Sequence, residues 1–252
     1  MQGRRYALSA GVVVALLAGG SVVALTQPRA VIELFTSQGC SSCPAADKLI
    51  GDLAADGSVV ALSLPIDYWD YLGWRDTLAR PRHTARQRNY SAARGDLAGS
   101  TPQVVINGSA QALGSDRDAI EVAIANTQHG KRLPVAVAVT PNGSGLDVAV
   151  SEHAGATPGE VWLCGIARAI KVAIGRGENR GHTFTYHNVV RRWIKLGEWH
   201  GVSKTWNVPR SDVEGDEIDA VAVLVQGRAP KGPGPMLGAT IAPLQNVALS
   251  GQ

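Results

Sequence analysis

The stretch VIELFTSQGCSSCPAADKLI, residues 31–50, decides the fold of this chain. Its apolar run at residues 31–35 predicts a short buried strand, and apolar residues recur at helical spacing after Pro44. Cys40 and Cys43 lie between these two elements, with two residues separating them. Three interpretations of the pair are open at this point: a redox dithiol, part of a metal site, or a structural disulfide.

The position of the two cysteines favours thiol chemistry. The thiolate is the nucleophilic form of cysteine, and the N–H groups and dipole at a helix N-terminus stabilise its negative charge. We therefore expect Cys40 to be exposed at the start of the helix and to react first. Cys43, in the first turn, would then resolve the mixed disulfide. Pro44 is tolerated here because a first-turn N–H has no helical acceptor to lose.

A metal site and an inert disulfide are the competing interpretations of the pair. Two thiolates suit copper(I), because soft sulfur ligands select that ion, so copper binding stays open. A closed zinc site needs four ligands, and the sequence has no second Cys-x-x-Cys and no His-x-x-x-His. We therefore assign no metal ligand and no cofactor.

Strands and helices alternate around this stretch. After the first strand come a helix at residues 44–55, a strand at 59–66, a helix at about 82–94, a hairpin around Asn107-Gly108 and a helix capped by Ser115. With the cysteine pair before the first helix and Thr-Pro before the third strand, this order is that of the thioredoxin fold. We predict an α/β thioredoxin-like N-terminal domain over residues 29–130.

The pattern changes at about Lys131. Beyond it, short apolar runs such as LPVAVAVT, EVWLCGIA, AIKVAI and DAVAVLVQG are broken by Pro, Gly and Asn, at spacings typical of antiparallel sheet. We predict a β-rich, antiparallel C-terminal domain over residues 131–252. Cys164 lies in one apolar run and is expected to be a buried, inert thiol. The charged stretch at residues 175–181, GRGENRG, is interpreted as a hairpin tip with solvated charges, and the alternative is a recognition surface.

The N-terminus predicts export from the cytoplasm. Arg4 and Arg5 precede residues 7–25, which contain no Asp, Glu, Lys or Arg. This pattern is typical of a signal peptide or an N-terminal membrane anchor, and we assign residues 1–28 to one of the two. Either one places the remaining chain in the periplasm or cell envelope, where a Cys40–Cys43 disulfide can form. A formal net charge of +3 is too mild for a nucleic-acid-binding surface.

Several motifs resemble one protein family. The runs ELFTSQGCSSCPAAD, DYWDYLGW, TPQVVING, RGEN and NVV resemble the domain-of-unknown-function family numbered 1223, exported thioredoxin-like proteins of bacteria. The resemblance covers nearly the whole chain after the N-terminal segment, and it implies a fold rather than a reaction. In thioredoxin-like folds a cis proline before the third strand lies against the cysteine pair. By this resemblance that residue is Pro102, which follows Thr101.

The aromatic and acidic stretch DYWDYLGWRD begins at Asp67. It follows the second strand, whose carboxyl end meets the same sheet edge as the cysteine loop. We therefore expect Asp67 and Trp69 to form a substrate groove with Thr101 and Pro102, and Asp67 to assist proton transfer. The alternative is that the aromatic side chains cap the core and the acids are solvated. Glu33, within the first strand, indicates a strand end, a paired carboxylate or a proton acceptor.

Together these patterns predict an envelope thiol–disulfide oxidoreductase that acts on protein thiols or disulfides through Cys40 and Cys43. The alternative is a noncatalytic thioredoxin-like envelope protein that binds a protein partner or copper(I). The sequence contains no Gly-rich phosphate loop and no strand–Gly-x-Ser-x-Gly elbow. Hydrolase and nucleotide-dependent functions therefore have no support in the sequence.

Overall fold

The structure is a computed structural model that describes residues 27–96, 99–128, 132–143 and 145–244. The segment assigned to export lies almost wholly outside these residues, so a signal peptide or anchor stays a prediction. Among the helices that the structure describes, none is long and apolar enough to cross a membrane.

The protein has a mixed α/β fold whose sheets are mostly antiparallel. In chain order its strands and helices are β1 Val31–Thr36, α1 Pro44–Asp56, β2 Val60–Pro65, α2 Pro81–Arg94, β3 Gln103–Ile106, β4 Ala110–Leu113, α3 Arg117–Gln128, β5 Val137–Asn142, β6 Gly145–Val150, β7 Gly159–Ala173, β8 Thr183–Trp199, β9 Lys204–Pro209, β10 Ala220–Ala229 and β11 Gly232–Pro243. Within the described residues, eight strands form one sheet in the order β11-β10-β7-β8-β2-β1-β3-β4. Strands β5, β6 and β9 form a second sheet.

Strand β1 lies in the interior of the large sheet. It runs parallel to β2, with Val31 opposite Val60, and antiparallel to β3, with Ile32 opposite Ile106. All six residues of β1 are buried because both faces of the sheet are covered. Apolar side chains of α1 and α3 pack on one face, and Tyr90 of α2 packs on the other. The predicted strand–helix–strand unit with parallel strands is confirmed.

The predicted hairpin between β3 and β4 is also confirmed. Asn107 and Gly108 both have positive φ angles, 49° and 70°, and lie at the centre of a tight turn in which the N–H of Ser109 donates to the carbonyl oxygen of Ile106 at 3.1 Å. The cap of α3 differs from the prediction, which named Ser115. The side chain of Asp116 accepts the hydrogen bond from the N–H of Ala119, at 2.9 Å, and Asp116 immediately precedes the helix. Asp116 is therefore the N-cap, one residue later than expected.

The large sheet continues across residue 131, the predicted domain boundary. Ser63 of β2 pairs in parallel with Val189 of β8, and β8 forms a long antiparallel hairpin with β7. The runs EVWLCGIA and AIKVAI belong to one strand, β7, rather than to separate short strands. Register shifts in its pairing with β8 allow so long a strand to twist with the sheet. The division into two domains stays a prediction.

Candidate functional site

Cys40 and Cys43 form a disulfide immediately before α1. Their Cα atoms are 5.4 Å apart. The expectation that Cys40 is exposed is wrong, since it is 4% exposed and Cys43 is fully buried. Two neighbours explain the burial: the carbonyl oxygen of Thr101 lies 3.8 Å from the Cys40 sulfur, and Trp69 packs over Gly39. Within residues 37–43, which form the cysteine loop, only Ser41 and Ser42 are exposed to solvent.

The loop that carries the disulfide is held by side chains from distant parts of the chain. The Asp76 carboxylate accepts a hydrogen bond from the N–H of Gln38 at 2.8 Å, and the Trp74 indole N–H donates to the Gln38 side chain at 2.8 Å. Asn179 donates to the carbonyl oxygens of Gln38 and Cys40 at 2.9 and 3.0 Å. These contacts fix the backbone on the N-terminal side of the disulfide.

Asn179 belongs to the stretch interpreted above as a hairpin tip with solvated charges, and the sequence did not indicate that this uncharged side chain is buried. Its side chain is buried, whereas its neighbours Glu178 and Arg180 are exposed. Periodicity cannot distinguish one buried asparagine from the charged residues of a turn. The RGEN motif noted in the sequence is the signal that singles out this position.

We predict that Asn179→Ala destabilises the protein by about 1 to 3 kcal/mol, because two buried carbonyl oxygens lose their donor. Urea unfolding of the oxidised protein measures this change. Glu178→Ala is the matched control, since its side chain is exposed in the same turn. Equal stability of the two variants would show that Asn179 does not hold the cysteine loop.

Three of the four predicted groove residues lie together beside the disulfide. The indole N–H of Trp69 donates to the Thr101 hydroxyl at 2.8 Å, and the Thr101 carbonyl is the group close to the Cys40 sulfur. The Thr101–Pro102 peptide bond is cis, as expected. Pro102 and Ala46 of α1 both border Gly114, so Pro102 lies near the start of that helix.

Asp67, the fourth predicted groove residue, makes its contact with α2. Its carboxylate accepts a hydrogen bond from the Thr84 hydroxyl at 2.6 Å, and its N–H donates to the same hydroxyl at 3.3 Å. Asp67 therefore ties the end of β2 to α2. Its proposed part in proton transfer stays a prediction.

An exposed aromatic side chain extends the groove away from the disulfide. Tyr71 is 77% exposed and stacks on Trp69, with ring centroids 6.3 Å apart and an interplanar angle of 20°. Trp69 and Tyr68 pack against the buried core. Part of the aromatic stretch thus packs on the core and the Tyr71 ring is exposed, and the substrate groove stays a prediction.

Two buried carboxyl groups near the disulfide were not identified from the sequence. Asp47, in the first turn of α1, is 3% exposed, and neither carboxylate oxygen has a hydrogen-bond partner among the described residues. Burial raises its pKa to about 8, and the nearby Thr36 hydroxyl offsets only part of the rise. Burial likewise raises the pKa of Asp76 to about 6, although three backbone N–H groups oppose the rise.

Asp47 and Asp76 share one buried region with Tyr186 of β8. The charge of Asp76 contributes to the raised pKa of Asp47. Burial, followed by the charges of both carboxylates, raises the pKa of Tyr186. Such perturbed acids beside a cysteine pair are typical of a site that moves protons.

Of the three interpretations of Glu33 from the sequence, the structure supports the paired carboxylate. Its side chain is fully buried in β1 and accepts hydrogen bonds from Arg86 at 2.5 and 3.1 Å. The Tyr90 hydroxyl also donates to Glu33. Cys164 is free and fully buried, as predicted, and burial raises the pKa of its thiol. Both residues therefore have a structural explanation.

The described residues contain no group of three or more His, Cys, Asp or Glu side chains placed to hold a metal ion. The sequence analysis predicted no metal ligand, and this remains a prediction.

Comparison with known proteins identifies the family. The family described as "Protein of unknown function (DUF1223)" matches residues 31–226. The chain belongs to this family. A crystal structure of an Agrobacterium tumefaciens protein from a structural genomics consortium is similar to it, with 32% identity and a TM-score of 0.79. The match covers 91% of this chain and all of that one. No curated protein matches the chain.

The family match confirms the resemblance noted in the sequence, as far as membership goes. It spans the cysteine loop, the aromatic stretch, the Thr-Pro pair and Asn179. DUF1223 carries no described activity in its name, so the chemistry of the site has to be argued from its geometry.

Proposed function

We propose that this DUF1223 protein is an exported, thioredoxin-like thiol–disulfide oxidoreductase. Cys40 is the nucleophile and Cys43 the resolving thiol, and the substrates are protein thiols or disulfides in the periplasm or cell envelope. The observation that carries the proposal is the Cys40–Cys43 disulfide at the N-terminus of α1, beside Thr101 and above a buried acid of raised pKa.

The strand arrangement supports the thioredoxin-like part of the proposal. Strands β4, β3, β1 and β2 are adjacent in that order, with β1 parallel to β2 and antiparallel to β3. The cysteine pair follows β1 and precedes α1, which packs on one face of these strands. The disulfide thus lies at the carboxyl end of a parallel strand pair, where open α/β sheets bind their ligands.

The exchange reaction takes place in two substitutions at sulfur. The Cys40 thiolate attacks a substrate disulfide, forms a mixed disulfide and releases the first substrate thiolate. The Cys43 thiolate then attacks the Cys40 sulfur, which forms the Cys40–Cys43 disulfide and releases the second substrate thiolate. Two electrons pass from the protein dithiol to the substrate, and the reverse sequence oxidises a substrate dithiol.

Ser42 and Asp47 supply the polar groups that these steps need. The Ser42 hydroxyl lies 3.4 Å from the Cys40 sulfur and can donate a hydrogen bond to the thiolate. The N–H of Asp47 donates to the Cys43 carbonyl, and residues four apart share one face of a helix. In this proposal Asp47, one helical turn after Cys43, is the acceptor for the Cys43 proton, because its pKa of about 8 is close to that of a thiol.

A route from Asp47 to solvent completes the proton transfer. Asp47 lines a surface cavity of about 350 Å³ between α1 and β8, with Lys48 and His187 also on its walls. Protons exchanged with Cys43 can leave through this cavity, away from the face where the substrate binds.

The substrate is proposed to be an extended segment of another protein. Thr101 presents its carbonyl group beside the Cys40 sulfur, and Trp69 and Tyr71 form a stacked aromatic surface next to it. An apolar side chain of the substrate would pack on the exposed Tyr71 ring.

Thiol labelling tests the proposed function. In the reduced, folded protein, iodoacetamide should modify Cys40 faster than Cys43, with a midpoint below pH ~8.5, and buried Cys164 should resist. Ser42→Ala should raise the midpoint for Cys40, because the thiolate loses a donor. Mass spectrometry of quenched samples assigns each site. Equal labelling of all three cysteines would count against a redox centre.

A further inference from the structure

A second cavity, separate from the one that Asp47 lines, lies away from the cysteine pair. It is open to the surface, has a volume of about 380 Å³ and lies between α2 and strands β7, β8 and β10. This volume is in the range of small-molecule sites. Its charged and aromatic lining residues are Arg82, Arg86, Trp162, Trp193, Glu160 and Arg228.

The negative charge of the cavity wall is already neutralised. Glu160, the acidic residue of the lining, accepts hydrogen bonds from Lys195 at 2.6 Å and Arg228 at 2.8 Å. Arg228 also pairs with Glu198, so two carboxylates share its charge. Positive charge in excess of these pairs therefore has to come from the arginines of α2.

Arg82 and Arg86 point unpaired donors at this region. Among the residues that the structure describes, none has a carboxylate oxygen within 4.0 Å of the Arg82 guanidinium. None of them accepts a hydrogen bond from that group. Arg86 uses Nε and Nη2 to hold Glu33, Tyr90 and Gln226, and its Nη1 has no such partner in the described chain. The two arginines are four residues apart, a spacing at which like charges repel on a helix face.

Aromatic rings hold both guanidinium groups in place. The Arg82 Cζ atom lies 4.9 Å from the Trp162 ring centroid and 5.7 Å from that of Trp193. The Arg86 Cζ atom lies 4.7 Å from the Trp193 ring centroid. The two indoles meet edge to face, with centroids 6.3 Å apart. Stacked guanidinium groups are pre-organised, so less side-chain entropy is lost when they bind an anion.

We propose that this cavity binds a small organic monocarboxylate, with its carboxylate on Arg82 and Arg86 Nη1. Arg82 leaves one uncompensated positive charge, which matches a monoanion better than a phosphate dianion. A planar guanidinium also fits a carboxylate through two parallel hydrogen bonds. The apolar part of the ligand would contact Ala85, Ala229 and Pro233, which also line the cavity. The proposal is independent of the redox function, since the lining residues make no contact with the cysteine loop in the hydrogen bonds described.

Calorimetric titration of the full-length, oxidised protein with sodium benzoate tests this site. We expect saturable one-to-one binding, and at least tenfold weaker binding by Arg82→Gln. Benzamide, which lacks the charge, and inorganic phosphate should both bind more weakly than benzoate. Arg88→Gln is the matched control, since Arg88 is exposed on the same helix but does not line the cavity.

Three results with the parent protein and Arg82→Gln would overturn the proposal. They are the absence of saturable benzoate binding, equal binding by Arg82→Gln and the parent protein, and tighter binding of phosphate than of benzoate. Thermal unfolding of each variant establishes that it is folded, and the exposed position of Arg82 makes its replacement compatible with the fold. Equal weakening by Arg88→Gln would show a general charge effect and would also contradict the site.

Discussion

A Cys40→Ser variant is expected to lose disulfide exchange, with the rate falling to that of a solution without protein. The reason is that the proposed reaction starts at the Cys40 sulfur, and a serine hydroxyl does not form disulfides. The measurement is the rate at which a peptide disulfide equilibrates with glutathione in the presence of the full-length protein. Cys164→Ala is the control, because this free, buried thiol has no part in the reaction.

Cys43→Ser is expected to behave differently from Cys40→Ser. It should accumulate a mixed disulfide between Cys40 and the substrate, because no neighbouring thiol remains to release it. Non-reducing gels and mass spectrometry detect this adduct. If the parent protein never exchanges disulfides, and both variants lose tight copper(I) binding, the metal-binding alternative is correct and the oxidoreductase proposal is wrong.

Asp47→Asn is expected to stabilise the protein and to slow its chemistry. Asp47 has a pKa of about 8 in the folded state, against ~3.9 for an unperturbed Asp. Between these values the unfolded chain releases a proton that the native state keeps, so stability falls as pH rises from about 4 to about 8. Asparagine does not ionise, and at pH 7 the variant should be more stable by about 2 to 4 kcal/mol.

Two observations check the Asp47 prediction. The stability difference should disappear below about pH 3, where the carboxyl group is protonated in both states. Exchange by the variant should be about a hundredfold slower, because Cys43 loses its proton acceptor. Asp52→Asn is the matched control, since Asp52 lies on the same helix, is exposed and pairs with Lys48. A variant that is less stable than the parent at pH 7 would show that the Asp47 carboxylate is favourable in the native state.

The sequence was sufficient to predict the elements around the cysteine pair. Strong local signals lie there: an apolar run for β1, Pro44 at the start of α1, and an Asn-Gly turn between β3 and β4. Their pairing follows from general rules, because a helix between two buried strands implies a parallel crossover. Trp69 could be placed at this edge because it follows the second of two parallel strands, whereas Thr101 was placed there by the family resemblance.

The position of β8 could not be predicted, and it determines the environment of Asp47. From sequence, an acid in the first turn of a helix is ordinary, because it stabilises the helix dipole at the surface. In the structure β8 packs across α1, close enough for the His187 ring to border Gly51. This contact joins residues more than a hundred positions apart, which hydrophobic periodicity does not reveal. The burial of Asn179 could not be predicted for the same reason, since its acceptors lie in the cysteine loop.

The reduction potential of the Cys40–Cys43 pair tests the central claim most directly. It is measured by equilibrating the full-length protein with glutathione or dithiothreitol buffers and trapping the free thiols. A redox centre predicts a two-electron transition between about −270 and about −120 mV, the range of known dithiol oxidoreductases. A potential below about −300 mV is typical of a structural disulfide and would contradict the proposed function.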